Sequence, residues 1–231
     1  LFKISILLNL EFRFIVVRSN PNISKLDRIM DIGSDRHEPV LLDKNERTVP
    51  YSDEVFREIM ELFEPSDLNK YPDQSDLYRK LSEFVELPQE NLLLVSGADG
   101  GLKILFETFV QPNDKVVVLE PTYAMIPVYG QMFGARMLRV NYSRDLTLDS
   151  QELERSCCSD TTMVILPNPN QPTGTLLSQD ILEKLIQKAV DNDFLLVLDE
   201  AYGEFSNHKS AVDKCTSANG KETCVEQQCV D

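Results

Sequence analysis

From residue 92 onward the chain repeats one pattern: a short apolar run, a polar break, then a segment of helical periodicity. The runs fall at residues 92–95, 116–119, 137–140, 163–166 and 195–198. None alternates polar with apolar side chains, so neither face of a sheet built from them can meet water, and helices must cover both. Segments 101–110 and 178–192 read as two of those helices. In the second, Ser178 stands as N-cap, and Ile181, Leu182, Leu185, Ile186, Ala189 and Val190 form an apolar stripe. The pattern predicts an α/β domain of three layers, α/β/α, around a mostly parallel sheet.

The flanking regions read differently. Residues 52–63 predict an amphipathic helix with Asp53 and Glu54 in its first turn, and residues 76–85 a second, separated by the loop EPSDLNKYPDQ. Residues 1–41 read as an amino-terminal extension that begins inside a longer reading frame, since the first residue is Leu1. Its apolar run at 4–17 is broken by Glu11 and Arg13. That run falls short of the ~20 apolar residues a membrane span needs, and it lacks a signal-peptide cleavage site. After Phe205 the periodicity stops, and the polar tail at 206–231 is expected to add no core strand.

Charge and cysteine content narrow the partners. A net charge of −15 without a Lys/Arg stripe excludes nucleic acid as an expected partner. Five cysteines in a chain of 231 residues point to a reducing compartment rather than a disulfide framework. Cys215, Cys224 and Cys229 lack CxxC spacing, so they read as solvated thiols and no metal site is expected.

Ligands of open α/β sheets bind beyond the carboxyl ends of the strands. Four such ends carry unusual residues. SGADGG follows run 92–95: it is either a structural turn or a helix start whose N–H groups seat an anion. EPTYAM follows run 116–119, and Tyr123 there either packs in the core or offers a ring face to a planar ligand. PNPNQPTGT follows run 163–166, a loop stiffened by three prolines that carries the amides of Asn168, Asn170 and Gln171. LLVLDEAYGEF ends run 195–198 on Asp199. A partly desolvated acid at that place is either an N-cap or the partner of a cation.

Read together, LDKNERTVP, YPD, SGADGG, EPTYAM, PNPNQPTGT and LDEAYGEF resemble, in order and spacing, the pyridoxal-phosphate-dependent aminotransferases of fold type I. Within them the resemblance is greatest to the histidinol-phosphate aminotransferase branch, over residues 42–205. It implies pyridoxal 5'-phosphate as cofactor and amino transfer between a phosphorylated or similar amine and 2-oxoglutarate. It further implies a cytoplasmic homodimer, with residues 42–70 belonging to a small domain and 71–205 to the cofactor-binding large domain. Asp199 would pair with the protonated ring nitrogen, so that the ring accepts electrons from the substrate's α-carbon. Tyr202 would donate to the ring's phenolic oxygen, and Tyr123 would stack on the ring. Ala98 and Asp99 would receive the phosphate, and Tyr71 would reach the phosphate of the neighbouring subunit. Asn45 and Glu46 would lie near the substrate. The family places Asn directly before PTG; this chain has Gln171, so either Asn170 or Gln171 takes that role. Gly100 stands where the branch commonly has an acid.

The family's Schiff-base lysine has no counterpart. Lys209, Lys214 and Lys221 lie in NHKS, VDKC and GKET, without the serine-rich approach or apolar strand of the family's SFSKA-like motif. The expectation is a truncated or mis-spliced product that carries the cofactor pocket without the catalytic centre. In the fold, two absent strands would flank run 92–95 and leave its edges bare. Two other readings stand beside amino transfer: a decarboxylase resembling threonine-phosphate decarboxylase, and a non-catalytic chain.

Overall fold

The computed structural model describes residues 20–23, 26, 47, 49–207 and 210, and the backbone of Cys224–Gln227. The chain divides into two compact units, Asp27–Leu94 and Val95–Asp231, the second also taking in Leu1–Leu26.

In the first unit, helices α1 (Asp53–Glu61) and α2 (Ser75–Val85) stand where the amphipathic patterns predict them. Ser52 caps α1 by accepting from the Val55 N–H, and Asp53 and Glu54 meet the positive end of its dipole. Neither helix buries a residue completely.

The second unit is a parallel sheet. Its strands are β1 (Lys115–Glu120), β2 (Arg136–Asn141), β3 (Thr161–Pro167), β4 (Leu195–Asp199) and β5 (Cys224–Gln227), in the order β2-β1-β3-β4-β5. Strands β1, β3 and β4 are covered on both faces, whereas the edge strand β2 buries only Val140, against the expectation that none of the runs meets water. Helices α3 (Gly97–Phe109), α4 (Met125–Phe133), α5 (Ser150–Ser156) and α6 (Gln179–Asn192) make the outer layers.

Side-chain alternation along buried strands divides the core into two. Val117, Leu119, Val164, Leu166, Leu196 and Leu198 point to the face covered by Leu153 of α5 and by Leu182, Leu185, Ile186 and Ala189 of α6. Val116, Val118, Met163, Ile165 and Val197 point to the other face, against Leu102, Leu105 and Phe106 of α3 and Ile126 and Tyr129 of α4. Each fully buried aliphatic side chain contributes about 1.5–3 kcal/mol. Gly130 permits the closest packing of α4 on β2, because a Cβ there would collide with the Met137 side chain.

The topology follows from handedness. The connection from β1 through α4 reaches β2 on one side of β1, and the connection through α5 returns to β3 on the other side. Right-handed crossovers then require α4 and α5 to lie on opposite faces, as the two core clusters show. The chain therefore reverses direction across the sheet between β1 and β3, and a crevice opens beyond their carboxyl ends.

Two expectations are corrected. Residues 92–95 form no strand: Leu92 is extended, Leu93 is largely exposed, and the Leu94 N–H donates to the Tyr78 hydroxyl at 3.2 Å. A strand exists only where a neighbour supplies its ladder, and no described residue does so here. Conversely, the tail supplies β5, which pairs in parallel register with β4 from Leu196↔Cys224 to Asp199↔Gln227. Main-chain groups along the free edge of β4 accept an extended segment whatever its side chains, so composition alone missed it.

The packing predicts unequal responses to one substitution type. Leu182→Ala, at a fully buried site, is expected to lower unfolding free energy by about 2–5 kcal/mol in urea denaturation. Leu176→Ala, at a half-exposed site, is expected to change it by no more than about 0.5 kcal/mol.

Candidate functional site

β4 ends on Asp199, paired in register with Pro167 at the end of β3. Its carboxyl group is buried and accepts the Ala201 N–H at 3.1 Å. Among the described residues no lysine or arginine pairs with it: Lys80, Lys103, Lys115 and Lys184 are bound to Asp76, Glu107, Asp160 and Glu154. Burial raises the pKa of Asp199; the Ala201 N–H opposes that rise, and neighbouring Glu200 adds to it.

Tyr123 follows β1, and its hydroxyl donates to Asp99 Oδ1 at 3.4 Å. Burial pushes its pKa up to about 12, helped by the charges of Asp99 and Asp199 and by Tyr202. Four predicted residues therefore share one electrostatic environment: Asp99, Tyr123, Asp199 and Tyr202. The cluster is acidic and carries no described cation, so a ligand seated beside Asp199 must bring positive charge of its own.

Ala98 and Asp99 occupy the first turn of α3. Gly97 enters that turn at φ +68°, a backbone conformation that side chains disfavour, with its N–H bonded to the Val95 carbonyl at 2.9 Å. Ser96 precedes the helix without capping it by a side-chain hydrogen bond. The free N–H groups of this first turn carry the positive end of the dipole of a 13-residue helix.

The loop after β3 is held from both sides of the crevice. Asn168 is fully buried: its N–H donates to the Asp199 carbonyl at 2.8 Å, and its Oδ1 accepts the Leu177 N–H at 2.9 Å. Asn170 Nδ2 donates to the Pro121 carbonyl at 3.1 Å and to Thr173 Oγ1 at 2.8 Å. Asn170 thus ties the β3 loop to the β1 loop across the point where the sheet reverses. Its Oδ1 is buried without a partner, as is Thr122 Oγ1. Gln171, next along, is half-buried.

Sequence reasoning overlooked Thr122, Thr173, Thr175 and Tyr142. Thr173 Oγ1 meets Thr175 Oγ1 at 2.7 Å, and Thr175 Oγ1 donates to the Tyr142 hydroxyl at 2.9 Å. Tyr142 directly follows β2, so the rule that found the other strand ends would have found it too. Tyr71 is fully exposed and belongs to the other unit. Asn45, Glu46, Lys209, Lys214 and Lys221 lie outside the described residues, as do Cys215, Cys229 and the side chain of Cys224. No group able to hold a metal occurs among the described residues.

Residues 38–227 match the family described as aminotransferase class I and II. The chain belongs to that family. Histidinol-phosphate aminotransferase of Christiangramia forsetii is 31% identical over 192 residues, 82% of this chain and 53% of that protein. The enzyme of the same name from Moorella thermoacetica is 36% identical over 137 residues, 58% of this chain and 35% of that protein. Aspartate aminotransferase from Thermotoga maritima superposes with a TM-score of 0.65 at 20% identity, covering 80% of this chain and 52% of that one. That likeness shows the fold, which is the one expected from the motifs. The chain spans about half the length, or less, of the curated relatives it matches. Class I and II aminotransferases use pyridoxal phosphate.

The state of Asp199 has a consequence for stability. With its folded pKa raised above the ordinary value of 3.8, the folded chain holds, only at pH between that value and the folded one, a proton that the unfolded chain has already released. Its contribution is therefore fully present below that value and is lost as pH rises through the folded pKa. Asp199→Asn is expected to remove this dependence and to make the ligand-free chain more stable at neutral pH, read as a higher urea midpoint.

Proposed function

We propose that this chain holds pyridoxal phosphate and forms the cofactor-binding part of an aminotransferase acting on histidinol phosphate or a similar phosphorylated amine, with 2-oxoglutarate as acceptor. The observation that carries the reading is the buried carboxyl group of Asp199, which no described cation pairs, in one electrostatic environment with Tyr123 and Asp99. The residues fit the cofactor. Among the described residues Asp199 has no cation, the start of α3 has N–H groups free for an anion, and Asn170 Oδ1 is a buried acceptor without a donor.

Bound there, pyridoxal phosphate supplies an electron-accepting ring that draws electrons from the substrate's α-carbon. The chain's own groups prepare it. Asp199 holds a proton on the ring nitrogen, and its burial strengthens that pairing because little water competes. Ala98 and Asp99 offer main-chain N–H groups to the phosphate. Tyr123 gives a ring face, and Tyr202 donates to the phenolic oxygen. Gln171 takes the second donor role there, because both N–H groups of the Asn170 amide are already committed to Pro121 and Thr173. Asn170 instead sets the shape of the loop that carries Gln171. In the whole protein, Tyr71 reaches the phosphate of a neighbouring subunit in a cytoplasmic homodimer, with Asn45 and Glu46 near the substrate.

Pyridoxamine phosphate lacks the aldehyde that reacts with surface lysines, so calorimetric titration with it isolates the pocket. Saturable binding is expected. Asp199→Asn should weaken it by roughly 30-fold or more, the cost of removing one partner of a buried ion pair. Gln171→Ala should weaken it roughly fivefold, the worth of about one hydrogen bond. Equal binding by Asp199→Asn would defeat the reading. Supplying histidinol phosphate, pyridoxal phosphate and 2-oxoglutarate then separates its parts. Glutamate formation supports amino transfer, carbon dioxide release when an amino-acid phosphate replaces histidinol phosphate points to a decarboxylase, and binding without turnover marks a non-catalytic chain.

A further inference from the structure

A second cluster of reactive side chains lies at the opposite end of the sheet, where the strands begin. Lys115 opens β1 and is almost wholly buried. Its Nζ donates to Cys158 Sγ at 3.1 Å and to Asp160 Oδ1 at 2.7 Å. Cys158 and Asp160 sit in the tight turn between α5 and β3, closed by the Thr161 N–H on the Cys158 carbonyl at 2.8 Å and by Thr161 Oγ1, which accepts the Cys158 N–H at 3.2 Å. Cys158 Sγ also lies 3.1 Å from Asp160 Oδ1 and 3.7 Å from the Ser156 carbonyl. Arg136, at the start of β2, donates to the other Asp160 oxygen at 3.2 Å.

A buried lysine held by an exposed aspartate needs no thiol for its charge. The thiol is nonetheless within bonding distance of the amine, on a turn and a strand end whose main chains are both fixed by hydrogen bonds. Cys158 is half-buried and reachable by a small solute, whereas its neighbour Cys157 is sealed in the core, where burial pushes its thiol up to about 11. The two cysteines thus differ in access as well as in environment. The half-buried Cys158 sulfur is open to a small oxidant and already lies within bonding distance of the Lys115 amine.

We propose that Cys158 and Lys115 form an oxidation site at which hydrogen peroxide produces a covalent sulfur–nitrogen link. In the first step the sulfur attacks peroxide: the O–O bond breaks, an S–O bond forms, the thiol is oxidised to a sulfenic acid, and peroxide is reduced to water. Lys115 then releases a proton to solvent. Its neutral nitrogen attacks the same sulfur, an S–N bond forms, the S–O bond breaks, and the hydroxyl leaves with an amine proton as a second water. The link ties the start of β1 to the turn before β3. It removes the ammonium charge and leaves Asp160 with Arg136 alone. A thiol reductant reverses it by attacking sulfur and returning the amine. The site is remote in the fold from the strand ends that carry Asp199, and the inference does not rest on the cofactor reading.

Peptide mapping by mass spectrometry after hydrogen peroxide treatment of the whole chain tests the proposal. The expected product is a pair of peptides containing Lys115 and Cys158 joined at the sum of their masses less two hydrogens, with loss of tryptic cleavage after Lys115. Dithiothreitol should restore cleavage. Cys158→Ser and Lys115→Gln should each abolish the joined species, and because the main readout is on the unaltered chain, a poorly folding variant leaves it intact. The proposal is overturned if Cys158 proceeds to sulfinic or sulfonic acid with Lys115 still cleaved, if it joins another cysteine instead, or if it stays reduced under peroxide.

Discussion

A carboxylate buried without a cation among the described residues is the constraint around which this molecule is arranged. Strand β4 carries Leu196, Val197 and Leu198 into a core that excludes water on both faces, and the next residue is Asp199. Burying that charge costs several kcal/mol unless a partner offsets it, and the only bond it receives from the described chain is one main-chain N–H. The fold tolerates the cost because the sheet beneath it is stabilised by two separate apolar layers. A site of this kind is stable as scaffold and unsatisfied as chemistry, which makes it receptive to a cationic ring nitrogen.

The surrounding geometry is set by how the sheet is wound. Because β1 lies between β2 and β3, the loops after β1 and β3 face each other across the point of reversal, and Asn170 closes the gap by bonding to Pro121. One strand over, the Asn168 main-chain N–H donates to the Asp199 carbonyl, and its side-chain Oδ1 accepts the Leu177 N–H. Both amides are buried and inflexibly held, so the loop of PNPNQPTGT is positioned from two strands at once. The hydroxyl chain from Thr173 through Thr175 to Tyr142 extends that support to the end of β2. The amides of Asn168 and Asn170 thus serve the shape of the loop, and no described hydrogen bond engages the amide of Gln171 beside them.

Much of this is legible in residue order. Unbroken apolar runs at 116–119, 163–166 and 195–198 identify β1, β3 and β4 because burial on both faces removes the usual alternation, whereas β2 at the sheet's edge carries Arg139 within its run and buries only Val140. Ser178 and the apolar stripe after it identify α6. Asp99, Tyr123 and Asp199 each stand just past an apolar run, at the end of a sheet where ligands bind. Residues 92–95 show the limit of that method. Their side chains suit a buried strand as well as the others do, yet a strand is a relation between two segments, and no described segment answers theirs. β5 shows the converse, since its hydrogen bonds come from main-chain groups that every non-proline residue has.

Local sequence by itself determined which segments could bury apolar surface, which helices could start where they do, and which polar residues would stand at strand ends. Those properties depend on neighbours within one or two turns of chain. Only the tertiary structure decided that Asp99, Tyr123, Asp199 and Tyr202 share one field, that Asn170 rather than Gln171 is committed to Pro121, and that Lys115 meets Cys158. These pairs lie far apart in sequence, and their distances are set by strand order and crossover handedness, which no local pattern encodes.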